Sequence, residues 1–161
     1  MRSDDDAIRE LVAQLNDDRS AEWASDGLRQ YGSAILPHLI EAAPGLPHLG
    51  QLCAIELFVE LGDGRAGAAL IRMLRSEHDT VHEWAAEAVA ELRIYEAVPE
   101  LRRVYDEVKG REPPDWTGPV RLRDALTVLG AREAIVPPRV AELSRIDRGS
   151  NAAGQSRTCP K

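Results

Sequence analysis

The amino-acid sequence predicts an all-α fold, a right-handed α-solenoid of about four helical hairpins. Apolar residues make up 43% of the 161-residue chain but aromatic residues only 4%, a composition that suits closely packed helices better than a sheet. Four similar junctions recur about every 30 to 37 residues, at positions 31–32, 61–62, 92–93 and 129–130. Apolar residues with helical spacing flank each junction. One hairpin cannot bury both of its faces, so the units are expected to stack on one another.

The predicted helices follow the chain in order. Residues 4–16 form the first helix, with Ser3 as its N-cap and aspartates in its positive first turn. The helix before each junction carries an apolar stripe with i, i+3, i+4, i+7 spacing, and a shorter apolar helix follows. The stripes are Ala24, Gly27, Leu28 and Tyr31; Ala54, Leu57, Phe58 and Leu61; Ala85, Ala88, Val89 and Leu92; and Leu122, Ala125, Leu126 and Leu129. Trp23 and Trp84 share a position beside the stripe and are expected to be packing residues.

The segments LGDGRAGAALIRML, DTVHEWAAEAV and AVPELRRV resemble HEAT repeats of the short bacterial type related to phycobilisome-lyase repeats. His82 stands where that pattern usually has arginine, and Arg93 where it usually has glycine. The resemblance covers residues 3–146 and implies the solenoid, but it is weak for function because one fold hosts many activities. The positions that match the repeat pattern are Asp79, Val81, Ala85, Ala86 and Ala88.

Residues 147–161 lose the periodicity and are expected to form a flexible tail.

Charge and composition narrow the class of protein. The net charge of −7 argues against nucleic acid as a partner, because binding it requires clustered Lys and Arg. A basic protein or peptide is the expected partner. The acidic start MRSDDDAIRE lacks the features of a signal peptide, and no apolar run reaches the ~18 residues of a membrane span. The expected location is therefore cytoplasmic, with no membrane contact. The two cysteines, Cys53 and Cys159, do not suggest a disulfide framework.

The dipeptide His82-Glu83 raises the question of a metal site. A metal-dependent hydroxylase family of HEAT-like proteins uses His-Glu pairs as iron ligands, but such a site needs several pairs, and the chain has no second one. Thr80 and Glu83 have the spacing of a capping box, which would place His82 on the exposed side of the first turn. We therefore assign no catalytic residue, no metal ligand and no cofactor.

An acidic residue occupies the same position in all four units, two residues after the first residue of each stripe. This position lies nearly opposite the apolar stripe. Glu60 and Glu91 widen the row in the two central units, and Glu83 flanks it. A basic partner would relieve the repulsion among these carboxylates, although exposed helix faces are also commonly rich in glutamate for solubility. The four residues, called the acidic row below, are Asp26, Glu56, Glu87 and Asp124.

The longer last unit contains an insertion, KGREPPDWTGP, at residues 109–119. Trp116 is its one large apolar side chain and is a candidate interface residue, with Arg121 and Arg123 on the same rim. Alternatively, Trp116 folds back over the gap between helices. The arginines of the outer helices are expected to face solvent, with Glu100 or Asp106 as ion-pair partners.

These features favour a non-catalytic protein-binding module: an adaptor, a scaffold or a small inhibitor, such as an immunity protein against a basic nuclease toxin. The alternative is a HEAT-type enzyme, similar to the iron hydroxylases or the bilin lyases. A third interpretation is a subunit of a larger solenoid assembly.

Overall fold

The computed structural model describes residues 3–110 and 118–131. Within these ranges all regular elements are helices and no strand occurs, so the prediction of an all-α chain is confirmed for the described part. Trp116, the apolar helix expected at residues 134–143 and the tail at 147–161 lie outside the described residues. The helices are α1 (Asp4–Gln14), α2 (Ala21–Arg29), α3 (Leu36–Ala42), α4 (His48–Leu61), α5 (Gly67–Met73), α6 (Asp79–Glu91), α7 (Val98–Lys109) and α8 (Gly118–Val128).

Four short 3-10 helices lead into or out of these elements, at Gly32–Ile35, Ala43–Gly45, Gly64–Ala66 and Tyr95–Ala97. The even-numbered helices contact one another in chain order: α2 packs on α4, α4 on α6, and α6 on α8. In a second series, α1 contacts α3, and α3 contacts α5. The two series are joined where α1 packs on α2, α5 on α6, and α7 on α8. The helices that carry the apolar stripes therefore form one continuous row.

The apolar stripes are buried as predicted. The first and third residues of every stripe have no measurable solvent exposure, whereas the fourth residues of the first three stripes, at the helix ends, are half-buried. Small side chains at these positions let the helices approach closely. At Gly50 the approach is closest, because a Cβ atom there would lie 2.3 Å from the carbonyl oxygen of Leu15. The fully buried residues are Ala24, Leu28, Ala54, Phe58, Ala85, Val89, Leu122 and Leu126.

The two predicted N-terminal caps have different outcomes. Ser3 caps α1 as expected, since its Oγ accepts a hydrogen bond of 3.2 Å from the backbone N–H of Asp6. The predicted capping box at Thr80 is wrong: α6 begins two residues earlier than expected, at Asp79, with His78 at the cap position and no side-chain cap. The Thr80 hydroxyl instead lies 2.6 Å from Nε2 of His48 on α4. His82 is only 2% exposed, because it lies three residues before buried Ala85 and so on the same helix face.

The four junctions share one backbone conformation. Gly32, Gly62 and Gly130 have φ values of 52°, 63° and 79°, and Arg93 has a φ of 57°. In this left-handed region glycine is unstrained, whereas a residue with a Cβ is not. Arg93 therefore makes the same turn as the glycines at a steric cost.

Candidate functional site

The acidic row occupies exposed positions on four successive helices. Asp26 lies on α2, Glu56 on α4, Glu87 on α6 and Asp124 on α8, and all four side chains are exposed. Each follows a fully buried stripe residue by two positions, and two positions on a helix correspond to a rotation of about 200°. Because these helices contact one another in order, the four carboxyl groups lie on one side of the helix row.

Arg29 of α2 crosses to the carboxylates of α4. Its Nε lies 2.8 Å from Oε2 of Glu60, and its Nη2 lies 3.7 Å from Oε2 of Glu56. Arg29 also pairs with Asp26 on its own helix. The hydrogen bond to Glu60 is the main reason that the pKa of Arg29 is raised. The sequence interpretation missed this residue, although its i, i+3 spacing from Asp26 is a signal for an ion pair.

Arg121 of α8 makes the corresponding connection to α6. Its Nη1 donates to Oε2 of Glu87 at 2.5 Å, and its Nε lies 3.5 Å from Oε2 of Glu83. Glu83 is 8% exposed and Glu87 is exposed. Arg123 pairs with its neighbour Asp124 at 3.1 Å. Of the two rim arginines, Arg121 thus belongs to the acidic face itself.

A cleft of about 390 Å³ opens between α4 and α6. We call it the α4/α6 groove. Its apolar lining consists of Ile55, Val59, Ala88 and the indole of Trp84. Its charged lining consists of Glu56, Glu60, Glu87, Glu91 and Arg121.

The expectation that the two tryptophans are packing residues is wrong as regards their exposure. Trp84 is 41% exposed and Trp23 is 66% exposed. Each directly precedes the first, fully buried residue of a stripe. Because one position on a helix is a rotation of about 100°, each ring lies at the side of the buried face and not within it. Trp84 therefore offers an aromatic surface to the α4/α6 groove.

Negative charge remains on this face after internal pairing. Six carboxylates, on α2, α4 and α6, are contacted or flanked by two guanidinium groups, those of Arg29 and Arg121. This leaves an excess of four negative charges at neutral pH. Among the described residues Glu91 has no hydrogen bond or ion pair, so part of the excess lies at the groove itself. The six acids are Asp26, Glu56, Glu60, Glu83, Glu87 and Glu91.

The His82-Glu83 pair lies inside the helix packing. Both side chains are buried, and the Glu83 carboxylate lies near Arg121. Within residues 3–110 and 118–131, no group of three or more His, Cys, Asp or Glu side chains is arranged to hold a metal ion. Cys53 is also buried, and burial raises the pKa of its thiol. These residues therefore contribute packing and ion pairing to the described face.

No protein-family model, curated protein or solved structure matches the chain. In the part of the chain that the structure describes, no helix combines the length and the apolar character needed to cross a membrane.

Proposed function

We propose that this protein is a non-catalytic, cytoplasmic protein-binding module that engages a basic protein or peptide through the acidic face of α2, α4, α6 and α8. The observation that carries the proposal is the α4/α6 groove, where an apolar floor and an exposed indole adjoin carboxylates in excess over arginines. Aromatic residues and apolar contacts supply affinity at protein interfaces, and complementary charge supplies specificity and rapid association.

We further propose that the chain is a right-handed solenoid of HEAT-like hairpins. Two observations support this architecture. The stripe-bearing helices contact one another in chain order, and the junctions at Gly32, Gly62, Arg93 and Gly130 share a left-handed backbone conformation. Such stacked repeats create extended binding surfaces. A small inhibitor of a basic protein, such as an immunity protein against a nuclease toxin, is one concrete form of this function.

Charge reversal within the acidic row tests the proposal. We expect the double variant Glu56→Lys/Glu87→Lys to lose the basic proteins that the tagged wild-type chain captures from a lysate, as measured by quantitative mass spectrometry. The matched control is Glu41→Lys/Glu96→Lys, which changes the net charge equally at exposed positions outside the row. Captured partners should also dissociate as ionic strength rises, because salt screens exposed charges.

Two results would contradict the proposal. Unchanged capture by the row variant would show that Glu56 and Glu87 do not contact a partner. An equal loss in both double variants would show that only net charge matters and that no particular face is used. Circular dichroism of all three proteins checks that each variant remains helical.

A further inference from the structure

Three grooves separate the successive even-numbered helices, and arginines of the chain bridge two of them. Arg29 crosses from α2 to the carboxylates of α4. Arg121 crosses from α8 to the carboxylates of α6. The middle groove, between α4 and α6, has carboxylates on both of its helices but receives no arginine from either of them. The middle groove and the groove between α6 and α8 each contain an opening, of about 390 and about 380 Å³ respectively, but of these two openings the middle one is lined by Trp84.

The repeat register explains why the middle groove differs. Arg29 follows the first stripe residue of α2 by five positions, and the equivalent position on α4 is Val59. Arg121 directly precedes the first stripe residue of α8, and the equivalent position on α6 is Trp84. Arg121 of α8 also lines the middle groove but is paired with Glu83 and Glu87. The two positions on α4 and α6 that correspond to the bridging arginines hold apolar side chains. Both of those side chains line the cleft.

We propose that the α4/α6 groove receives the guanidinium group of an arginine on the partner protein, seated between the indole of Trp84 and the carboxylates of α4 and α6. This inference rests on the proposed function and names the group that is recognised. The neighbouring grooves provide the template, since Nε of Arg29 donates to both carboxylate oxygens of Glu60, at 3.1 and 2.8 Å. An arginine of the partner protein would extend the same pattern to the middle groove.

The groove retains the acceptors that such a group needs. Glu91 has no partner among the described residues. Glu56 has one contact, at 3.7 Å from Arg29, which is too long for a hydrogen bond. A carboxylate offers about four lone-pair sites, so both groups can accept hydrogen bonds from an incoming cation. Arginine fits better than lysine, because its planar fork binds carboxylates in a bidentate manner and stacks on aromatic rings.

Two peptides of equal charge separate this inference from general attraction to basic partners. We expect hexa-arginine to bind the wild-type chain about five to ten times more tightly than hexa-lysine in isothermal titration calorimetry at low salt. Trp84→Ala should remove most of this preference by weakening the arginine peptide, with less than about a twofold change for the lysine peptide. The matched control is Trp23→Ala, because Trp23 is also exposed and has the same register position on α2.

A second variant supplies the missing arginine from within the chain. Val59→Arg places a guanidinium group at the position equivalent to Arg29. We expect it to occupy the groove and to weaken hexa-arginine binding about tenfold, an effect of roughly the size of losing one charge-assisted contact. Gln30→Arg adds the same charge at an exposed site at the C-terminal end of α2 that lines a different cleft, between α1 and α2, and not the α4/α6 groove. It should weaken binding less than about twofold.

The outcomes distinguish the two proposals. If both peptides bind the wild-type chain equally and Glu56→Lys/Glu87→Lys abolishes both, the acidic docking face stands and the arginine site is wrong. An arginine preference that survives both Trp84→Ala and Val59→Arg also overturns the site. If neither peptide binds the wild-type chain at low salt, the proposed function fails and the arginine site fails with it.

Discussion

Glu100 on α7 and Glu87 on α6 are both helical glutamates paired with arginine, but their surroundings differ. Glu100 is 8% exposed and accepts hydrogen bonds from Arg75, at 2.8 and 3.0 Å, and from Arg103 at 2.8 Å. These pairs confirm the expectation that Glu100 is the partner of outer-helix arginines. Glu87 is exposed and has one arginine, Arg121. An enclosed acid with two cations stabilises the fold, whereas an exposed acid with one retains capacity for another molecule.

The two regions also differ in their electrostatic balance. Hydrogen bonds from Arg75, followed by those from Arg103, lower the pKa of Glu100 to about 2. Around Glu87, by contrast, Glu83 and Glu91 lie four residues away on either side. Like charges at this spacing destabilise a helix by about 0.2–0.5 kcal/mol per pair. The first region therefore favours the folded state of the isolated chain, and the second is left for a cation to neutralise.

The largest expected effect is that of Glu100→Gln. Because folding lowers the pKa of Glu100 from 4.5 to about 2, its charged form stabilises the fold above about pH 4.5. This stabilisation is lost as the pH falls through about 2. We expect the substitution to lower the free energy of unfolding by up to about 3 kcal/mol at pH 7, measured by urea denaturation. The difference between variant and wild type should shrink on acidification toward pH 2.

Equal destabilisation by Glu100→Gln at pH 7 and near pH 2 would contradict this account. It would mean that the loss comes from side-chain packing and not from the charge of Glu100. Glu96→Gln, at an exposed site on the 3-10 helix before α7, is the control and should change stability by less than about 0.5 kcal/mol.

Arg121→Gln tests whether the acidic face contributes to folding through its internal arginine. We expect a loss of about 1 kcal/mol, because Glu83 is nearly buried and loses a cationic neighbour. Arg123→Gln is the matched control, since Arg123 pairs with the adjacent Asp124 on the same exposed helix surface. Thermal denaturation measures both. If the two variants lose the same amount, the connection between α6 and α8 has no particular role.

The smallest expected effect has the opposite sign. Glu91→Gln removes the repulsion between Glu87 and Glu91, so we expect a gain of about 0.2–0.5 kcal/mol in the free energy of unfolding. The gain should disappear in high salt, because both groups are exposed. A loss of stability in urea denaturation would show that Glu91 stabilises the fold, and the contrast with Glu100 would then be wrong.

Local signals in the sequence predicted much of the fold. The stripe positions follow from helical spacing, and the Ser3 cap depends on residues within one turn. The Thr80 capping box failed because the hydroxyl contacts His48, 32 residues away. The partners of the two groove arginines are similarly distant, with Arg29 and Glu60 separated by 31 residues and Arg121 and Glu87 by 34. Such contacts depend on the packing of whole helices, which spacing along one helix does not specify.

The position of the acidic row could be read from its regular spacing, but the character of the α4/α6 groove could not. Helical spacing places Trp84 next to the stripe without fixing how far the neighbouring helix covers its ring. The exposed indole depends on the packing of α4 against α6 and of α6 against α8. The internal arginines also pair with Glu60 and Glu87 but leave Glu91 without a partner among the described residues, although the sequence pattern presents these carboxylates as equivalent.

Arg29 and Arg121 have a consequence for the entropy of association. Both arginines hold carboxylate side chains, those of Glu60 and Glu87, in fixed positions before any partner arrives. Each rotamer-rich side chain that must be immobilised at an interface costs about 0.5–1.5 kcal/mol. Residues that compete with a partner for Glu60 and Glu87 therefore also preorganise them, so that two of the carboxylates lining the groove are ordered before a cation binds.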